Sequence, residues 1–117
     1  MKLGELTERL GLRNLTPEIP GLASAEVVHG HASDLLSDVL AFAPAGSVLV
    51  TIHVHMNALA VCINAGVVAI VFASGRAPDE SVRRKAVEEG VWLCASKESS
   101  FNIVGQLYAL GLRGRCS

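Results

Sequence analysis

Cysteine, aromatic side chains and charge are all scarce in this 117-residue chain, and each shortage excludes something. Cys62, Cys94 and Cys116 are too few and too scattered for a disulfide framework. Cys62 and Cys94 lie in apolar runs and read as small core residues of a reducing compartment, Cys116 as an exposed free thiol. Aromatics make up 4% of the chain, and the two amphipathic ones, Trp92 and Tyr108, read as core or interface rather than as platforms for bases. Charged residues reach only 18% and the formal net charge is −1, which argues against a large nucleic-acid footprint. The cationic run Arg83, Arg84, Lys85 is answered by Glu88 and Glu89, and Arg113 and Arg115 read as a solvated basic tail. The longest apolar run, Val67 to Ala73, is far below the ~20 residues that span a bilayer. MKLGELTERLGL carries Glu5, Glu8 and Arg9 and lacks a signal-peptide apolar stretch, so a soluble cytoplasmic protein with neither membrane nor nucleic-acid partners is expected.

What is present is a hydrophobic chain, 50% apolar, with strong periodicity. Its length suits one domain, residues 1–117, burying roughly two-thirds of its unfolded surface. Leu3, Leu6 and Leu10 share one helical face, and Gly11 is placed to end that helix. Residues 12–24, with Pro17, Pro20 and Gly21, read as a loop with a short strand near Leu15. Strands are then predicted at Ala25–Gly30, Ser47–His55, Val67–Phe72 and Val91–Ala95. Between and after them lie helices beginning at Ser33 or Asp34, at Asn57, at Pro78 or Asp79, and at Ser99 or Ser100. Strand–helix alternation of this kind predicts an α/β fold, a mainly parallel sheet covered by helices on both faces.

Three groups of residues are candidates for chemistry. The four histidines form two i, i+2 pairs, His29 with His31 and His53 with His55, each near a predicted strand end. Residues i and i+2 of a strand face one side, so adjacent strands would let all four converge on one zinc or nickel ion; otherwise the pairs are polar residues lining the crevice of an α/β sheet. Ser33 and Asp34 suit a helix N-cap, and Asp38, one turn on, adds a second carboxylate to that face. Ser74, Gly75 and Arg76 follow the most apolar strand, where Gly75 would let a ligand approach the backbone and Arg76 would clamp a phosphate or carboxylate. Asp79 and Glu80 lower the positive potential there. No G-x-S-x-G elbow or comparable arrangement sets up a nucleophile, although a Cys94–His55 pairing across neighbouring strands is conceivable.

The run ASDLLSDVL (Ala32 to Leu40), the following strand, His55, Met56 and Asn57, and SGRAPDE (Ser74 to Glu80) together resemble the DRTGG domain family. The chain is similar to its small stand-alone members, related to the N-terminal domain of HPr kinase/phosphorylase, from the first helix to LYALGL (Leu107 to Leu112). Similar domains sit in the middle of some phosphotransacetylases and accompany CBS domains. His55 and Asn57 fit the H-x-N pattern of the small members, and Ser74 and Gly75 occupy the place of the threonine-glycine-glycine turn. The resemblance implies a three-layer α/β domain of regulatory or assembly role, without the kinase's P-loop and without a four-histidine metal site. No G-x-x-x-x-G-K-[ST] segment occurs in the sequence.

The expectation is therefore a non-catalytic module with no cofactor. It would bind a small anionic metabolite or nucleotide through Ser33, Asp34, His55, Asn57, Ser74, Gly75 and Arg76. The last helix, Phe101 to Leu110, has more apolar positions than one face needs, which predicts a homodimer or a docked protein partner.

Overall fold

The computed structural model describes residues 1–115, so Cys116 lies outside the described residues. Leu3, Leu6 and the half-buried Leu10 put one face of α1 (Leu3–Arg9) onto the core, and Gly11 follows at φ +62°. β1 (Arg13–Asn14) and a 3₁₀ turn (Pro20–Ser24) occupy the segment expected to be mostly loop. Then come β2 (Gly30–Ala32), α2 (Leu36–Phe42), β3 (Val48–Thr51), α3 (Met56–Ala65), β4 (Ala69–Phe72), α4 (Glu80–Glu89), β5 (Trp92–Ala95) and α5 (Ser100–Ala109).

The five strands form one sheet in the order β1-β5-β4-β3-β2, with β2 to β5 parallel and β1 antiparallel along β5. Alternation along the strands sorts the core into two layers. Val48, Val50, Ala69, Val71, Trp92 and Cys94 face Leu3, Leu6, Ile103 and Leu107 of α1 and α5. Leu49, Ile70, Phe72 and Leu93 face Val39, Leu59, Cys62, Val82 and Ala86 of α2, α3 and α4. The three-layer α/β arrangement expected from the sequence is the one observed.

Two elements depart from expectation. Ala25 to Val28 holds only the isolated bridge Lys2–Glu26, and the β2 ladder starts later, with Gly30 opposite Val48. β3 ends at Thr51, so His53 and His55 are loop residues, outside the pleat that would have put them on one face. The order β2-β3-β4-β5 also runs without reversal, so no topological switch point opens a crevice. Any cleft at the strand ends must be shaped by the loops.

Candidate ligand site at the strand ends

β3 leaves the sheet at Thr51, and the chain turns at once because Asp34 holds it. One oxygen of the Asp34 carboxylate accepts from the Thr51 hydroxyl at 2.7 Å and from the Ile52 N–H at 2.8 Å. Asp34 is thus a tertiary clasp between the β2 and β3 ends, not the helix cap its sequence context suggests. α2 is capped at Leu35 with no side-chain bond, while Ser33 Oγ accepts the Leu35 N–H at 3.1 Å. Asp38 is separated from Asp34 in function. Its carboxylate meets His31 Nε2 at 2.8 Å, and this hydrogen bond holds it below the usual aspartate range.

The clasped turn delivers His53 and His55. His55 is the N-cap of α3, accepting the Asn57 N–H on Nδ1 at 3.1 Å; the sequence had given that cap to Asn57. This bond leaves Nδ1 without a proton and sends Nε2 outward as the free end. His53 lies edge-on to it, with ring centroids 6.5 Å apart, and its own buried Nδ1 has no partner among the described residues.

The other pair is elsewhere. His31 is in register with Leu49, and the Val48 N–H bonds the His29 carbonyl near the start of β3. His53 lies in the loop beyond Thr51, where it lines a recess with His55 and Arg76, whereas His31 lines a different groove with Tyr108 and Arg113. The four-histidine ion site is therefore corrected, since His31 is bonded to Asp38 and lines a different recess from His53 and His55. No cluster of three or more metal-ligating side chains occurs among the described residues. The conceivable Cys94–His55 pairing fails too, because the Cys94 thiol contacts Thr7 in the α1 layer at 3.7 Å.

Ser74 and Gly75 adopt consecutive left-handed conformations, φ 61° and 73°. A Cβ on Gly75 would meet nothing within 4 Å, so the glycine serves the turn and not close backbone approach. The N–H groups of Ser74, Gly75 and Arg76 all bond carbonyls, those of Glu98, Ser96 and Ala73. The loop is pinned to the β5–α5 loop and offers an anion side chains only.

Arg76 projects between two recesses. One, about 370 Å³, is lined by Asp34, Ile52, His53, Val54, His55 and Arg76. The other, about 420 Å³, is lined by Gly11, Arg13, Gly75, Arg76 and the loop Ala95 to Glu98. Ser33, Asn57 and Ser74 line neither. Sequence reasoning missed Arg13, Ser96 and Lys97, although Ala73-Ser74-Gly75-Arg76 and Ala95-Ser96-Lys97 repeat an Ala-Ser-then-cation ending on adjacent strands.

No family model and no curated protein matches this sequence. A solved structure does: the CBS and DRTGG domains of the regulatory region of Clostridium perfringens pyrophosphatase, complexed with the activator diadenosine tetraphosphate. The likeness covers 91% of this chain at 14% identity and TM-score 0.71, and this chain spans 45% of that one. At this identity the likeness shows a shared fold.

Proposed function

We propose that the chain is a DRTGG-like regulatory module, without catalysis of its own, that senses a small anionic metabolite or nucleotide at the strand ends. The observation that carries this reading is Arg76. It borders both recesses, and among the described residues it makes no ion pair. A cation left unpaired over a recess is a ready anion contact, and His55 Nε2 is a second one. The likeness to a regulatory region solved with a nucleotide activator supports a sensing role over a catalytic one. So do the thiols of Cys62 and Cys94, which burial pushes up to about 12 and about 11, far from the range of a nucleophile.

The test is a thermal-shift screen of anionic metabolites and nucleotides against the intact chain. A ligand at a hundred times its Kd stabilises by about 2.7 kcal/mol, a shift of roughly 10 °C at this size. Arg76→Ala should remove at least half of that shift and His55→Ala a smaller part. A screen with no responding compound, or a shift indifferent to both substitutions, sinks the proposal.

A specific surface favours self-association as a second property. Phe101, 87% exposed, forms with Val104 and Tyr108 an apolar stripe at helical spacing along the outer face of α5. The stripe continues onto the β2 edge through the groove shared by Val104, Tyr108, Gly30 and Ala32. Large exposed apolar patches mark interaction sites, and a second copy is the proposed occupant. Sedimentation at micromolar concentration should give the mass of two chains, and Phe101→Glu should give one folded chain whose melting temperature no longer rises with protein concentration. A single-chain mass for the unsubstituted protein removes the proposal.

A further inference from the structure

The second recess has a composition of its own. We propose that Arg13, Arg76 and Lys97 form a phosphate subsite that takes the phosphorylated end of the sensed ligand; this deepens the reading above and rests on it. The backbone brings the three cations together. Arg13 on β1 is in register with Ala95. Ser96 and Lys97 follow Ala95, and the Ser96 carbonyl accepts the Gly75 N–H at 2.9 Å, which places Arg76 beside it. Each cation is thus within two residues of a backbone partner at Ala95 or Ser96, and all three line one recess.

Charge balance selects the ligand. Most other cations are already engaged. Arg83 and Arg84 pair with Glu80, Arg83 also with Glu18, Lys85 with Glu89, and Arg9 with Glu5. Arg113 and Arg115 lie against aromatic rings, whereas Arg13, Arg76 and Lys97 have no carboxylate partner among the described residues and are brought together in this recess. Its one acid, Glu98, is occupied at Oε2 by the Asn102 side-chain amide at 2.8 Å. Asp79 and Glu80, which the sequence set against a phosphate here, line neither recess. Asp79 is bound to the Ser81 hydroxyl and the Val82 N–H, and Glu80 to its arginines. A monocarboxylate needs one guanidinium, whereas three cations around about 420 Å³ suit a di- or polyanionic phosphate group. With the Ser74, Gly75 and Arg76 N–H groups taken, attraction here is mainly through exposed side chains and is strongly screened by salt.

Isothermal titration of the intact chain with inorganic pyrophosphate tests this. Expected is one pyrophosphate per chain, weakening steeply with added salt. Arg13→Ala, Arg76→Ala and Lys97→Ala should each weaken binding about tenfold or more. Lys2→Ala, which removes a charge at the far end of α1, should leave it unchanged. Arg13, Arg76, Lys97 and Lys2 are exposed, so melting curves of these four variants should match the parent. No binding at millimolar pyrophosphate overturns the subsite, as does indifference to Arg13→Ala and Lys97→Ala. Equal losses for Lys2→Ala and Lys97→Ala, the sign of diffuse attraction, also overturn it. If a screened metabolite depends on Arg76 and His55 while pyrophosphate ignores Arg13 and Lys97, the subsite falls and the sensing reading stands. If pyrophosphate behaves as expected and no metabolite depends on His55, the subsite stands and the histidine recess loses its role.

Discussion

Between pH 9 and pH 11 the protein is expected to lose about 4 kcal/mol of stability, through two buried thiols. Cys62 and Cys94 lie in opposite core layers, 0% and 1% exposed. Burial raises Cys62 from an ordinary 9.0 to about 12 and Cys94 to about 11, the latter opposed by weak hydrogen bonding with Thr7 and Trp92. The sign follows from which state ionises first. Below pH 9 both folded and unfolded chains hold the thiol protons, and the full stability is present. Above pH 9 the unfolded thiols ionise while the folded ones do not, so each pH unit favours unfolding by about 1.4 kcal/mol per thiol until the folded values are reached. Against the roughly 5–15 kcal/mol typical of a native domain, such a loss is enough to unfold a marginal one. Urea titrations at pH 8, 9, 10 and 11 should show the midpoint falling steeply for the parent. The double variant Cys62→Ala, Cys94→Ala starts lower, because small cavities replace the sulfurs, but its midpoint should fall much less over the same range. Parallel pH profiles for the two proteins would show that the thiols are not responsible. Lys85, whose ion pair with Glu89 raises it, shifts stability in the same direction in both proteins and cancels in the comparison.

What the sequence made legible was set by local periodicity, and what it hid was set by partners distant in the chain. The apolar runs of β3, β4 and β5 announce strands covered on both faces, and those strands are buried almost throughout. Asp79 and Ser99 cap α4 and α5 as their positions suggested, because an N-cap bond reaches only two or three residues ahead. Asp34 looked like the same device. Its carboxylate instead reaches Thr51, 17 residues on, and no local rule distinguishes a cap from a clasp. β2 was displaced for a similar reason. Val27 and Val28 have the strand propensity, but the ladder with β3 falls on Gly30 to Ala32, where register and not composition decides. For the site, Arg76 was visible as a cation after a buried strand. Arg13 and Lys97 needed knowledge that β1 lies antiparallel along β5. The histidine pairs looked equivalent in sequence because a repeated i, i+2 spacing carries no information about where in the fold it falls.

The basic tail, expected to be a solvated end, is instead a strap, and removing it should be costly. Arg113 pairs in parallel with His29: its N–H bonds the Val28 carbonyl at 3.1 Å, and its carbonyl accepts the Gly30 N–H at 3.0 Å. Its guanidinium lies 3.6 Å from the Tyr108 ring centroid, and that of Arg115 lies 4.4 Å from the Phe42 centroid. The segment therefore ties the start of β2, the edge strand, to both α5 and α2. Truncation after Leu112 deletes two backbone hydrogen bonds at about 1 kcal/mol each and two cation–π contacts at roughly 0.5–1 kcal/mol each. The expected loss is roughly 3 kcal/mol, a melting temperature lower by roughly 10–15 °C. It also bares the β2 edge beside the already exposed Val28 and Tyr108, and an unpaired edge strand next to apolar side chains templates strand addition. The truncated chain should accordingly form species of higher mass than the intact protein under identical conditions. Full-length Arg113→Pro, which lacks the N–H that binds Val28 and the guanidinium that stacks on Tyr108 and donates to the Tyr108 and Leu112 carbonyls, should reproduce most of the destabilisation, whereas Arg115→Ala should lower the melting temperature by only a few degrees. A truncated chain that melts within about 2 °C of the intact one and sediments at the same mass would reduce the strap to a surface contact.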